Sequence, residues 1–357
     1  MSFFDDNAQA LADFERMSAT AGARCDYVQG GGGNTSVKLD GLMAIKASGY
    51  RLSQVVARDG YAVLDLSVLN RFFGDTDPAT LGDVEAAGTA AVKSAVREIA
   101  GFKVLRPSVE SGFHSLLDRF VLHTHCVWAN LAMCAPDGSE QVAQALADSG
   151  LSWCEVGYVN PGAALTFEIR AALSDYERIH GARPGLVFMR NHGLIATAAD
   201  ADAATALHEQ ASDLMARHYG WAMADYPARP LVQRAENEFA SGCDYLKSRI
   251  ASGNYGAREL LDDALYPDQM VFFRGSLKFC QPGDAPDMAC NIYPDGAIEY
   301  RCARATAEAI EQTLTAVVLI HETLRARGQR AVPMSQASQS FIAGWEAEAA
   351  RRKLMSN

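Results

Sequence analysis

No stretch of this sequence stays apolar for the roughly 20 residues that a helical membrane crossing needs, so a membrane partner is not expected. A secretory signal is not expected either. The chain opens Met1-Ser2-Phe3-Phe4-Asp5-Asp6, acidic where a signal peptide is basic, with no apolar core behind it. Positive charge is scarce. Against 43 Asp and Glu stand 32 Lys and Arg, a formal net charge of −11, which excludes nucleic acid or an anionic membrane as the main partner. A small phosphorylated ligand is still compatible, because one pocket can be positive on an acidic surface. The eight cysteines show no paired spacing, and Cys126, Cys134 and Cys154 sit among apolar residues, so reduced thiols in a cytoplasmic protein are expected. No glycine fingerprint for a dinucleotide occurs, which rules out an attached dehydrogenase unit.

What is present suits a soluble enzyme. The chain has 357 residues, a length that suggests two domains, and 49% hydrophobic residues, ample for a core. Helices are expected over 8–21, 81–99, 109–117, 127–133, 140–147, 164–179 and 203–219, with Ser108 as a cap for the third. Strands are expected over 35–39, 42–46, 61–66, 120–122, 154–159 and 186–190, the first two forming a hairpin across Asp40-Gly41. This alternation is α/β. Two prolines around Tyr226-Pro227-Ala228-Arg229-Pro230 mark a boundary between a domain over 1–225 and a small α+β appendage over 229–357. In the appendage a helix is expected over 233–252, strands over 269–273, 291–293 and 297–302, and a long helix over 305–327.

The densest chemistry lies between Pro107 and His125. Phe120-Val121-Leu122 reads as a short buried strand closed by His123-Thr124-His125. Residues i and i+2 of a strand face the same side, so the two imidazoles can converge. A third histidine, His192, sits in Asn191-His192-Gly193 behind the apolar run 186–189, again at a strand end. Glu110 lies thirteen residues before His123. Together these suggest a metal that activates a carbonyl and a base that moves a proton. Each piece alone has a plainer reading: an ordinary histidine pair, a turn, a surface glutamate. Gly30-Gly31-Gly32-Gly33 likewise reads either as a flexible linker or as a backbone cradle for an anion, with the Asn34 amide beside it.

Four places in order carry a family resemblance: Gly33-Asn34-Thr35-Ser36-Val37 followed by Ile45-Lys46-Ala47-Ser48-Gly49; Ser108-Val109-Glu110 with His114; His123-Thr124-His125; and Asn191-His192-Gly193-Leu194. Over about 8–220 the chain resembles the class II aldolase/adducin family, which includes sugar-phosphate aldolases, epimerases and dehydratases. The resemblance implies an α/β/α sandwich around a mostly antiparallel sheet. It also implies that His123, His125 and His192 hold Zn²⁺, or Mn²⁺, Co²⁺ or Ni²⁺ in its place, and that Glu110 shuttles a proton to and from an enediolate. Asn34, Ser48, Gly49 and Ser108 would bind a substrate phosphate. The appendage resembles the C-terminal extension of longer members, and a ring-like homotetramer with sites at subunit contacts is implied.

The match departs from the family at three points. Ser108 is followed by Val109 where a second serine is common, and Lys46-Ala47 stands where Thr-Pro is common. Lys46 then either adds a positive charge or faces solvent. No tyrosine lies between Cys134 and Glu155, where small aldolases draw an acid from a neighbouring subunit; Tyr158 is close in sequence but falls in another segment, and Tyr266 and Tyr293 of the appendage are the substitutes. Tyr266, stiffened by Pro267, would act in a lid over the site if the appendage is functional rather than a stabilising add-on. His114 either orients Glu110 or packs. An aldolase is the favoured activity, ahead of an epimerase, dehydratase or decarboxylase. A non-catalytic scaffold is disfavoured because all three histidines are kept.

Overall fold

The computed structural model describes residues 3–344; Met1, Ser2 and the last part of the expected appendage, 345–357, lie outside the described residues. Seven strands form the main sheet: β1 (Asn34–Leu39), β2 (Leu42–Lys46), β3 (Tyr61–Asp65), β4 (Phe120–Thr124), β5 (Trp153–Val156), β6 (Leu186–Met189) and β7 (Gly193–Ala198). Their order across the sheet is β3-β2-β1-β4-β7-β6-β5, and every neighbouring pair is antiparallel except β5 with β6. The β1–β2 hairpin turns at Asp40-Gly41, both with positive φ, the turn that matches strand twist.

Alternation within the strands builds the sandwich. Val121, Val187 and Ile195 pack on one face with Leu165, Ile169 and Leu173 of the helix Ala163–His180. Their neighbours Phe120, Leu122, Phe188, Leu194 and Ala196 face the other way, towards the helices Ala8–Gly22, Val127–Met133 and Ala201–His218. A sheet covered on both faces buries nearly every strand residue, as the central strands here do. This is an α/β fold with helices on both sides of a mostly antiparallel sheet.

A second sheet follows: β8 (Val232–Ala235), β9 (Glu238–Ala240), β10 (Leu277–Phe279), β11 (Cys290–Ile292) and β12 (Ile298–Arg301), ordered β10-β11-β12-β9-β8. The helix Arg304–Ala326 beside it packs on Pro267–Phe273 and on Val127–Met133. One hydrophobic core runs from Phe14 and Leu194 through to Leu319, so the C-terminal part is seated against the first sheet. Among the described residues no helix is long and apolar enough to cross a membrane.

Two expected elements change type. The helix expected over 233–252 is a hairpin followed by the helix Asp244–Ala251, because Asn237 takes a left-handed turn (φ 55°) that a helix cannot contain. The strand expected over 269–273 is the helix Pro267–Phe273. A short, wholly buried apolar run has no period to separate the two types, and Pro267 at the first helical turn was the available signal. Near the site, the helix expected over 109–117 runs Ser111–Leu116, which leaves Glu110 as its cap residue rather than on its face.

Candidate metal centre

His123 lies one residue before the end of β4, opposite Asn34 of β1 and Ile195 of β7. Thr124, between the two histidines, turns its hydroxyl to the other side of the strand, 2.7 Å from Nε2 of His208. His192 sits in the tight turn between β6 and β7. Asn191 takes φ 51° there, which asparagine tolerates better than most residues. Gly193 cannot be larger, since a Cβ on it would fall 2.1 Å from the carbonyl oxygen of Thr124. That close approach brings the turn against the end of β4.

The three rings converge. Their centroids are 5.2 Å apart for His123–His125, and 5.0 Å for both His123–His192 and His125–His192. One nitrogen from each lies within 4.8 Å of the others, and all three residues are buried. The Glu110 carboxylate closes the group, with Oε1 3.3 Å from Nε2 of His192 and Oε2 3.7 Å from Nε2 of His123.

These residues fit a divalent metal. Leu194 O can only accept, so His123 donates to it through Nδ1 (3.1 Å) and leaves Nε2 bare. That Nε2, which faces Glu110, is buried with no hydrogen-bond partner. An orphaned nitrogen at such a site lacks what an ion would supply. Burial also pushes His123 well below the usual histidine range, into the neutral form a metal ligand needs. Glu110 is held well below the usual carboxylate range although burial works upwards, and the hydrogen bond it accepts from His192 favours the carboxylate form without requiring a charged imidazole.

A polar chain fixes Glu110. The Asn34 amide nitrogen donates to Glu110 Oε2 (2.5 Å) and to Ser108 Oγ (3.1 Å). The Asn34 oxygen accepts from His114 Nε2, and His114 Nδ1 meets the Ser36 hydroxyl at 2.8 Å. His114 is wholly buried, and burial lowers it to about 3, so it stays neutral and locks the amide orientation. Of the sequence candidates, His114 thus reaches Glu110 through Asn34. Ser48 donates its backbone N–H to Arg106 O (2.8 Å) beside the Ala47–Pro107 bridge, which brings Ser48 and Gly49 to the same junction as Ser108. Lys46 is buried, its ammonium donating to Tyr50 O (2.7 Å) and Gly31 O (3.5 Å), and does not face solvent. Tyr266 is also buried, with its hydroxyl 3.5 Å from Gln29 Oε1, and burial first, then Asp268, raises it well above the usual phenol range.

Residues 19–219 match the family described as Class II Aldolase and Adducin N-terminal domain, more than half of the chain. The chain belongs to the class II aldolase/adducin family. Among solved structures it is similar to the N-terminal class II aldolase domain of a conserved protein from Thermoplasma acidophilum, at 21% identity and TM-score 0.46 over 57% of this chain and 90% of that one. It is also similar to an L-fuculose-1-phosphate aldolase from Thermus thermophilus, at 17% identity and TM-score 0.36 over 58% of this chain and 91% of that one. A sugar-phosphate aldolase from Thermotoga maritima is similar at 15% identity and TM-score 0.40, over 58% of this chain and 94% of that one. No curated protein sequence matches the chain.

Sequence reasoning missed what holds this family site in place from outside the matched segment. Asp268 Oδ2 lies 2.5 Å from Nδ1 of His125. The side chain of Asn191 donates to Leu265 O (2.9 Å) and Val332 O (2.7 Å). A signal for the first was present, since Asp268 stands in the apolar run Tyr266 to Phe273 and a buried acid needs a partner.

Proposed function

We propose that this protein is a zinc-dependent carbon–carbon lyase that cleaves a ketose or ketose phosphate by a retro-aldol step, or runs the condensation in reverse. The carrying observation is the meeting of three buried histidine nitrogens within 4.8 Å beside a carboxylate 3.3 Å from His192. His123, His125 and His192 would hold the ion, which supplies Lewis acidity towards a ketone oxygen. In the condensation direction Glu110, an oriented carboxylate, takes a proton from the carbon next to the ketone. In cleavage the C4 hydroxyl gives its proton to water and becomes an aldehyde as the C3–C4 electron pair flows towards the ketone, and Glu110, having taken up a proton from water, delivers it to C3. Asn34 holds the carboxylate still, and neutral His114 holds Asn34.

The substrate's anionic end would lie by Ser48, Gly49 and Ser108. Ser108 lines a cavity of about 620 Å³ together with Lys93, Arg106 and Glu85, so two cations stand there against one carboxylate on an acidic protein. We further propose residues 1–225 as the catalytic unit and 229–357 as its extension, in a cytoplasmic homotetramer; sedimentation at one protomer mass with full activity would overturn the assembly.

Product analysis with a panel of ketoses and their phosphates tests the reaction. One ketone fragment and one aldehyde should appear per substrate consumed. An epimer, a dehydrated product or carbon dioxide in their place would assign a different reaction to the same residues.

A further inference from the structure

The imidazole of His125 is held by a residue outside the family segment. Asp268 Oδ2 accepts from Nδ1–H of His125 at 2.5 Å, and Asp268 is wholly buried. This bond fixes the tautomer, so Nε2 is the nitrogen left to face the other two rings. Asp268 is the second residue of the helix Pro267–Phe273, which packs against Arg304–Ala326.

The glycine loop is shaped around this pair. A Cβ on Gly32 would fall 2.5 Å from Asp268 Oδ2 and 2.8 Å from His125 Nδ1. The loop is pinned from the C-terminal side as well, since Gly30 N–H donates to Gln312 Oε1 at 2.9 Å. Its glycines are buried, which removes the flexible-linker reading. They let the backbone pass directly over a carboxylate–imidazole pair.

We propose that Asp268 is a positioning residue of the metal centre. On the reading that His125 is a metal ligand, Asp268 orients its ring and strengthens it as a donor, so the C-terminal region completes the site. Carboxylates behind metal-bound histidines act in this way, and losing one typically weakens metal affinity by about 10- to 100-fold. Gly32 is the residue that makes room for the contact.

The test is zinc affinity of the full chain, by competition with a chromophoric chelator, with the visible spectrum of the cobalt(II)-loaded protein as a second readout. Asp268→Asn and Asp268→Ala should weaken zinc by about tenfold or more and alter the cobalt spectrum, while the metal-free proteins keep the wild-type near-ultraviolet circular dichroism. Asp268→Glu should recover part of the affinity. Gly32→Ala, which crowds the pair without touching its chemistry, should weaken zinc in the same direction.

Gln269→Ala is the structural control. Gln269 bonds Leu265 N and the carbonyls of Glu259 and Leu260 in the same segment, so its loss should lower the melting temperature and leave zinc affinity unchanged. If both Asp268 variants bind zinc within twofold of wild type, the positioning role is wrong while the metal reading stands. The role is equally wrong if Gln269→Ala weakens zinc as much as Asp268→Asn does. A wild-type protein that takes up no zinc or cobalt overturns the metal reading itself, and the role of Asp268 with it.

Discussion

Thr124 and His208 are joined by a 2.7 Å hydrogen bond on the face of β4 opposite His123. The residue between two convergent histidines is therefore tethered from behind, and the strand end cannot rotate without breaking the bond. His208 is wholly buried in the helix Ala201–His218, also shares a hydrogen bond with Ser212, and is lowered by burial to about 3.

That tether predicts an acid-labile fold. Between its ordinary value of 6.5 and about 3, His208 takes up a proton in the unfolded chain and refuses one in the folded protein. Stability from this group is present above pH 6.5 and lost as pH falls through that window. A single such group removes about 2 kcal/mol between pH 7 and pH 5. Chemical denaturation at both pH values should show wild type losing about that much more than His208→Gln, since the other histidines contribute to both proteins. Equal losses would show that His208 takes a proton in the folded state.

Glu110→Gln should keep the fold and the metal yet lower turnover by about 10²- to 10⁴-fold, the usual worth of a general acid–base group. Steady-state kinetics paired with metal analysis checks this. Unchanged turnover would move the proton role to another residue.

Purified protein should carry about one divalent ion per chain, since three imidazoles form an open zinc site. His123→Ala and His192→Ala should each strip most of it, and a chelator should abolish activity that zinc then restores. Metal content unchanged in both variants would dissolve the ligand assignment.

Tyr266→Phe should leave turnover close to wild type. The hydroxyl meets Gln29 and is buried, so its removal touches packing and one long hydrogen bond. A sharp fall in turnover with folding intact would restore Tyr266 as the acid that the region between Cys134 and Glu155 lacks.

Much of the site was legible because its chemistry is local. His123 and His125 share a strand end, His192 and Gly193 share a turn, and Glu110 comes shortly before β4. The support of those residues was not legible. Asp268 stands 143 positions from His125 and Asn34 stands 80 from His114, and no periodicity links partners so far apart. The fold divided along the same line. The hairpin at Asp40-Gly41 and the long C-terminal helix follow from turn residues and a long period, whereas Pro267–Phe273 is too short and too uniformly apolar to show one.

The bonds from Asn191 to Leu265 O and Val332 O set an order on synthesis. A nascent chain can build β6, β7 and the His192 turn long before it has made either acceptor. Asn191 gains its second carbonyl only when residue 332 leaves the ribosome, 141 positions after Asn191 itself, and a chain truncated shortly before that point would carry every candidate ligand on an unbraced turn.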